Sequence, residues 1–272
     1  MPQHYDALHY AVLTLASFLA GAINSVAGGG TLLTFPALLA VGVPPVLANG
    51  TSTVALVPAS LSALWGYRKE GAQNTRDLAN MAVPSLLGGL VGALLVIWAG
   101  NATFGKLVPW LVLGATVLFI VQDPIRRWLD RKRAIGQGNA GEGAIDAEGN
   151  VGLGGIVFQF FVAVYGGFFG AGIGILMLAS LGMMGLRDIH RMNRIKNFAA
   201  VCINGIAALT FALKRQVDWP VAGLMTVGAI AGGYLGADMA RRVGQANVRR
   251  IVVGIGLGIG AYMLAKQMGL LR

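Results

Sequence analysis

Apolar residues run along this chain in blocks too long for the strands or amphipathic helices of a water-soluble domain. No Asp, Glu, Lys or Arg occurs across residues 7–67, a length that extends roughly 90 Å as helix at 1.5 Å per residue. A hydrocarbon core of about 30 Å would accommodate nearly three crossings of that length. Further charge-free runs cover 78–105, 107–122, 149–186, 197–213, 219–237 and 251–265. Most suit one transmembrane helix each, but 149–186 is too long for one crossing and short for two.

One hydrophilic stretch, 123–150, interrupts the pattern. It begins basic (Arg126, Arg127, Arg131, Lys132, Arg133) and turns Gly-rich and acidic, a composition suited to a flexible, cytoplasmic linker. It separates a first transmembrane repeat, 7–122, from a second, 151–270. A shift of 143 or 144 residues aligns Ala27-Gly28-Gly29 with Gly170-Ala171-Gly172. The same shift aligns Gly88-Gly89-Leu90-Val91-Gly92-Ala93 with Gly232-Gly233-Tyr234-Leu235-Gly236-Ala237. Each half reads as a long, Gly-interrupted segment followed by three ordinary spans. If the long segments cross once, the basic residues divide almost evenly between the two faces. If each folds back to the side from which it started, most fall on one face, as the positive-inside rule requires. The predicted fold is therefore an all-α integral membrane protein of two inverted repeats, each a Gly-rich fold-back segment plus three transmembrane helices. Glycines 88 and 92, and 232 and 236, have small-xxx-small spacing and are read as helix-packing residues.

Composition agrees with this reading. Of 272 residues, 56% are hydrophobic and 12% charged, and the mean hydropathy is +0.68. Soluble domains carry about a quarter charged residues, so soluble-enzyme and nucleic-acid-binding readings recede. The net charge of +10 is assigned mainly to cytoplasmic loops. The N-terminus lacks the basic region of a signal peptide, and the apolar stretch behind it is too long for a cleaved one. Cys202 is the single cysteine, and His4, His9 and His190 have no metal-ligand spacing. No cofactor, metal site or catalytic residue is expected.

The Gly-rich breaks are where chemistry is expected, because interrupted helices near the bilayer midplane present unpaired helix ends to substrate. In the first break, Asn24, Ser25, Gly28, Gly29, Gly30 and Thr31 offer backbone and side-chain donors. They stand beside the positive end of a half-helix starting near Thr31, which favours an anion. The alternative is that these polar groups only satisfy freed backbone. The second break, with Gly170 and Gly172, has few side-chain donors, so its backbone would do the binding. The next segments begin with Thr51 and Ser52 in the first half and with Asn193, Arg194 and Lys196 in the second. The alignment predicts that hydroxyls from one repeat and a cation from the other meet in a shared site. Lys196 is the candidate for substrate charge, against snorkelling to headgroups. Arg191 and Arg194 suit orientation. Asn204, two helical turns beyond Lys196, either bonds helix to helix or lines the path.

All eleven acids lie outside the charge-free runs. A cation carrier would need an intramembrane carboxylate, so the substrate is expected to be a small anion. The same absence counts against an intramembrane aspartyl protease, and no His-Glu-x-x-His is present.

The stretch from Asn24-Ser25-Val26-Ala27-Gly28-Gly29-Gly30-Thr31 through Phe35-Pro36, with Gly42-Val43-Pro44-Pro45 and Asn49-Gly50-Thr51-Ser52-Thr53, resembles the sulfite exporter TauE/SafE (TSUP) family. So do Gly167-Phe168-Phe169-Gly170-Ala171-Gly172, His190-Arg191-Met192-Asn193-Arg194-Ile195-Lys196-Asn197 and Val217-Asp218-Trp219. The similarity covers nearly the whole chain outside 123–150. It implies a multi-pass inner-membrane permease for sulfite, organosulfonates or related organosulfur anions, with some relatives moving carboxylates. Arg194 departs from the small or uncharged residue common there, which points to a more highly charged or bidentate anion. The expected mechanism is alternating access. An anion channel and a non-transport membrane subunit are the alternatives. Expected partners are the small anion and membrane lipid, with no nucleic acid, and homo-oligomerisation is left open.

Overall fold

The computed structural model describes residues 5–26, 29–66, 75–135, 153–184, 186, 189–243 and 245–270. Among these, every regular element is a helix: α1 (Ala7–Val26), α2 (Thr31–Ala40), α3 (Pro45–Gly66), α4 (Thr75–Ile135), α5 (Leu153–Phe168), α6 (Ile173–Met183), α7 (Ile189–Leu213), α8 (Trp219–Val243) and α9 (Gln245–Gln267). Ala7–Asn24, Leu78–Val121 and Arg191–Leu213 are long and apolar enough to cross a bilayer. Leu78–Val121 has the length of two crossings, and α4 is broken within it at Gly100, whose φ of 69° and ψ of 174° are not helical. Helix α4 therefore has two arms. Its second arm runs to Ile135, so helix extends into the stretch expected to be linker; residues 136–152 lie outside the described ones.

Local chemistry explains the turns. Gly42, at φ +88°, closes α2 while Val43 N–H reaches back to the Leu38 carbonyl, the bond pattern of a left-handed C-terminal cap. Pro45 then opens α3, where a missing N–H costs nothing. Asp218 caps α8 by accepting a bond from Val221 N–H at 3.3 Å, as N-cap carboxylates do.

The two halves are interleaved. The most extensive helix contacts join α1 to α8 and α4 to α5, so the leading helix of each half lies against the other half. Gly232 abuts the Phe18 carbonyl and Gly88 the Phe160 carbonyl, leaving no room for a Cβ. The packing role read from their spacing is what the structure shows for these two.

Several contacts are reciprocal at a shift of 144 residues. Ser60 on α3 is hydrogen-bonded to Asn204 on α7, 144 positions later. Gly256 lies against Thr116, and Gly260 against Val112 and Leu113; Val112 and Gly256, and Thr116 and Gly260, are counterparts at that shift. Contacts in which residue i meets j and j meets i are the pattern a twofold produces.

One end of the bundle gathers Tyr5, the α2–α3 turn, the α4 break and the α7–α8 turn. Tyr5 Oη donates to Asp218 at 3.0 Å, Asp218 N–H donates to Thr51 at 3.0 Å, and Val46 N–H donates to Asn101 at 2.9 Å. The opposite end is closed by Met81, Leu181, Met184, Leu186, Met192 and Ile195.

Candidate functional site

The first break separates α1 from α2. Gly29 takes φ +99°, and backbone bonding resumes with Leu32 N–H to Gly29 O and Thr34 N–H to Gly30 O. Amides ahead of that first bonded turn, including that of Thr31, have no intrahelical carbonyl to meet. Gly30 is buried, while Asn24 and Thr31 are half-buried. Gly28 and the Ser25 side chain lie outside what is described.

The second break separates α5 from α6. Gly170 and Gly172 both take φ +76°. Phe169 N–H and Gly170 N–H bond back to the Tyr165 carbonyl, and Ile175 N–H to that of Gly172. The Tyr165 hydroxyl, from within α5, bonds the Ala171 carbonyl at 2.7 Å.

Phe119, on the second arm of α4 and fully buried, brings the breaks together. A Cβ on Gly29 would strike its ring, and one on Gly172 would lie 3.7 Å from it. These glycines are counterparts at the 143-residue shift. Phe168 and Phe169 at the second break also meet Phe104 and Phe35 edge to face, at centroid distances of 5.4 and 5.3 Å.

Polar side chains divide into two groups. On the first-half side, the buried hydroxyls of Thr34 and Ser52 share a 2.6 Å hydrogen bond, and Thr34 Oγ1 also donates to the Gly30 carbonyl at 3.2 Å. Asn49 donates from Nδ2 to the Phe168 carbonyl at 3.1 Å, across the halves. Its Oδ1 is buried without a partner. On the second-half side, the stem of Lys196 runs past the first turn of α6: a Cβ on Gly174 would be 3.6 Å from Lys196 Cδ. Lys196 is half-buried, and among the described residues its ammonium has no hydrogen-bond or ion-pair partner. The buried Asn197 Nδ2 and Ser180 Oγ are also unpartnered. Asn193 and Arg194 are half-buried on the same helix.

The two groups do not converge, contrary to the expectation of one shared site. Helices α3 and α7 pass antiparallel, with Gly50 against Phe211 and Ser60 bonded to Asn204. Ser52 and Lys196 thus lie on opposite sides of the Ser60–Asn204 contact, roughly 20 Å apart at 1.5 Å per residue. Thr51 is engaged with the start of α8, and Asn204 bonds helix to helix. Thr34, Asn49, Tyr165 and Phe119 were not among the candidate site residues, although Thr34 and Asn49 fall within the motifs that carry the family resemblance. Thr34 stands one turn after the first break, a spacing that could have drawn notice.

Only Asp6, which is exposed, and Asp218, at the head of α8, are acids with described side chains. Among the described side chains, no carboxylate pairs with the Lys196 ammonium.

Several known proteins are similar to this chain over nearly its whole length. A probable membrane transporter protein of Haemophilus influenzae is 32% identical over 260 residues, covering 94% of this chain and 95% of its own. The Escherichia coli K12 probable membrane transporter protein YfcA is 29% identical over 261 residues, with 95% and 90% covered. The Bacillus subtilis probable membrane transporter protein YunE is 22% identical over 270 residues, with 94% and 98% covered. No solved structure matches significantly. The sequence model described as Sulfite exporter TauE/SafE matches residues 13–263, and the chain is a membrane protein belonging to that family.

Proposed function

We propose that this protein is a multi-pass inner-membrane permease for a small anion, sulfite or an organosulfonate, working by alternating access and not as an enzyme. The observation that carries the reading is the Lys196 ammonium, unpartnered among the described residues, whose stem passes the first turn of α6, with the buried, unpartnered Asn197 amide one residue further along α7. A cation and a helix N-terminus together hold a positive field that an anion neutralises, and a partly dry site strengthens that attraction. Gly172 and Gly174 let the anion approach backbone amides closely. The Thr34–Ser52 pair would offer neutral donors at a second station along the path.

The reciprocal contacts between the halves support an inverted arrangement, in which the breaks rock against one another around Phe119. In proteoliposomes loaded with unlabelled sulfite, counterflow of radiolabelled sulfite should saturate with concentration, whereas a channel would give large unitary currents and a flux that rises with the gradient. Lys196→Ala should reduce flux at least tenfold and Lys196→Arg should retain part of it. Unchanged flux in Lys196→Ala overturns the assignment. A thermal-shift screen of sulfite, sulfate, thiosulfate, taurine, sulfoacetate and simple carboxylates would rank the substrates.

A further inference from the structure

Counterparts in the two halves are differently bonded at one position. Asn49 on α3 holds the Phe168 carbonyl that closes α5. Its counterpart at the 144-residue shift is Asn193 on α7, half-buried and without a hydrogen bond to a described residue. The counterpart of the Phe168 carbonyl is that of Asn24, in the last turn of α1.

We propose that Asn49 and Asn193 are alternating clasps that position the two breaks. Asn49 secures the α5 end in the state described here, and Asn193 secures the α1 end when the halves exchange conformations. This inference rests on the alternating-access reading. Exchange maps each contact between the halves onto the contact between their counterparts. Ser60–Asn204 maps onto itself and persists. Asn49–Phe168 maps onto Asn193–Asn24, so forming one requires releasing the other.

The side chains fit this division. Asn193 carries the same amide as Asn49, and a carbonyl in the last turn of α1 has no intrahelical N–H to meet. The bond from Asp218 N–H to the Thr51 hydroxyl maps instead onto Asn74 and Ile195, which cannot repeat it because Ile195 has no hydroxyl. That contact belongs to one state alone. Phe168 and Phe169 are seated on Phe104 and Phe35 in this state, while their counterparts in the first break are Asn24 and Ser25 and those of the two seating rings are Val248 and Ala179, so the aromatic seat is not repeated. Asn49 lies near the end marked by Asp218, and Asn193 near the end closed by Met81 and Leu181. Each clasp therefore seals its own end.

The test uses accessibility. In full-length protein with Cys202→Ala, reporter cysteines replace Val217 at the Asp218 end or Leu181 at the other; both positions are buried here. Maleimide labelling rates are measured in proteoliposomes. Asn49→Ala should raise labelling at position 217 and lower it at 181, by about five- to tenfold for loss of one buried hydrogen bond. Asn193→Ala should do the reverse, and the double variant should return towards the parent. Asn193→Ala removes no bond to a described residue in this state, so it carries the test if Asn49→Ala does not fold. Reporters that move together, or do not move, overturn the clasps. Opposed reporters with no sulfite flux would leave the clasps standing and refute the transport reading. Flux with unmoved reporters would do the opposite.

Discussion

Asp218 joins three segments through one residue. Its carboxylate accepts the Tyr5 hydroxyl and caps Val221 N–H, while its own N–H donates to Thr51. Burial and the Asp218 carboxylate push the Tyr5 hydroxyl up from 10.0 to about 12. A phenol with a raised folded value stabilises the fold fully below its unfolded value and loses that contribution as pH rises through the folded one. The stabilisation from Tyr5 should thus be complete below pH 10 and fade between 10 and about 12. Unfolding in detergent followed against pH should show a loss in that window that Tyr5→Phe flattens. An unchanged slope in that variant would separate Tyr5 from the alkaline transition. None of these partnerships has a periodic signal, which is why Asp218 was legible only within the Val217-Asp218-Trp219 motif of the family resemblance and without a role.

Helix contacts, in contrast, were largely legible. The charge-free runs located the spans, and the triple glycine and Gly170 to Gly172 marked the breaks, because each required a backbone that leaves the helix. The repeated glycines pointed to close helix approach, which Gly232 and Gly88 make on Phe18 and Phe160. Gly232→Ala should cost about 1–3 kcal/mol by overpacking. Gly223→Ala on the same helix, where an added Cβ meets nothing within 4 Å, should be neutral or stabilise by up to about 1 kcal/mol through helix propensity. Thermal midpoints in one detergent compare the two, and equal losses would contradict the contact. What the alignment misjudged was convergence. Equal positions in two repeats look like partners on paper. Around a twofold, only residues on the axis meet their counterparts, and all others diverge with distance from it. Ser60 and Asn204 meet, whereas Ser52 and Lys196, eight residues away on each helix, are carried apart.

The whole molecule is built to face lipid. Trp98, Trp110, Trp219, Tyr234 and Leu213 are strongly exposed, while hydroxyls and amides such as Thr34, Asn49, Ser52 and Gln159 are buried. This inversion of soluble-protein logic accounts for the 12% charge content. It also explains why fold class was easier to read than the site: lipid exposure acts on composition, but a site depends on which helices cross. The Ser60–Asn204 bond has a further consequence. If the halves descend from one duplicated gene, the ancestral product was a homodimer in which this position touched its own copy, and a single residue type had to serve as both donor and acceptor. Fusion into one chain freed the two copies to differ, and a hydroxyl now answers an amide. The exchange Ser60→Asn with Asn204→Ser should therefore keep stability near that of the parent, while Asn204→Ala alone loses about 1 kcal/mol. A pair that is interchangeable in this way would preserve, within one chain, the place where two identical ancestors once met.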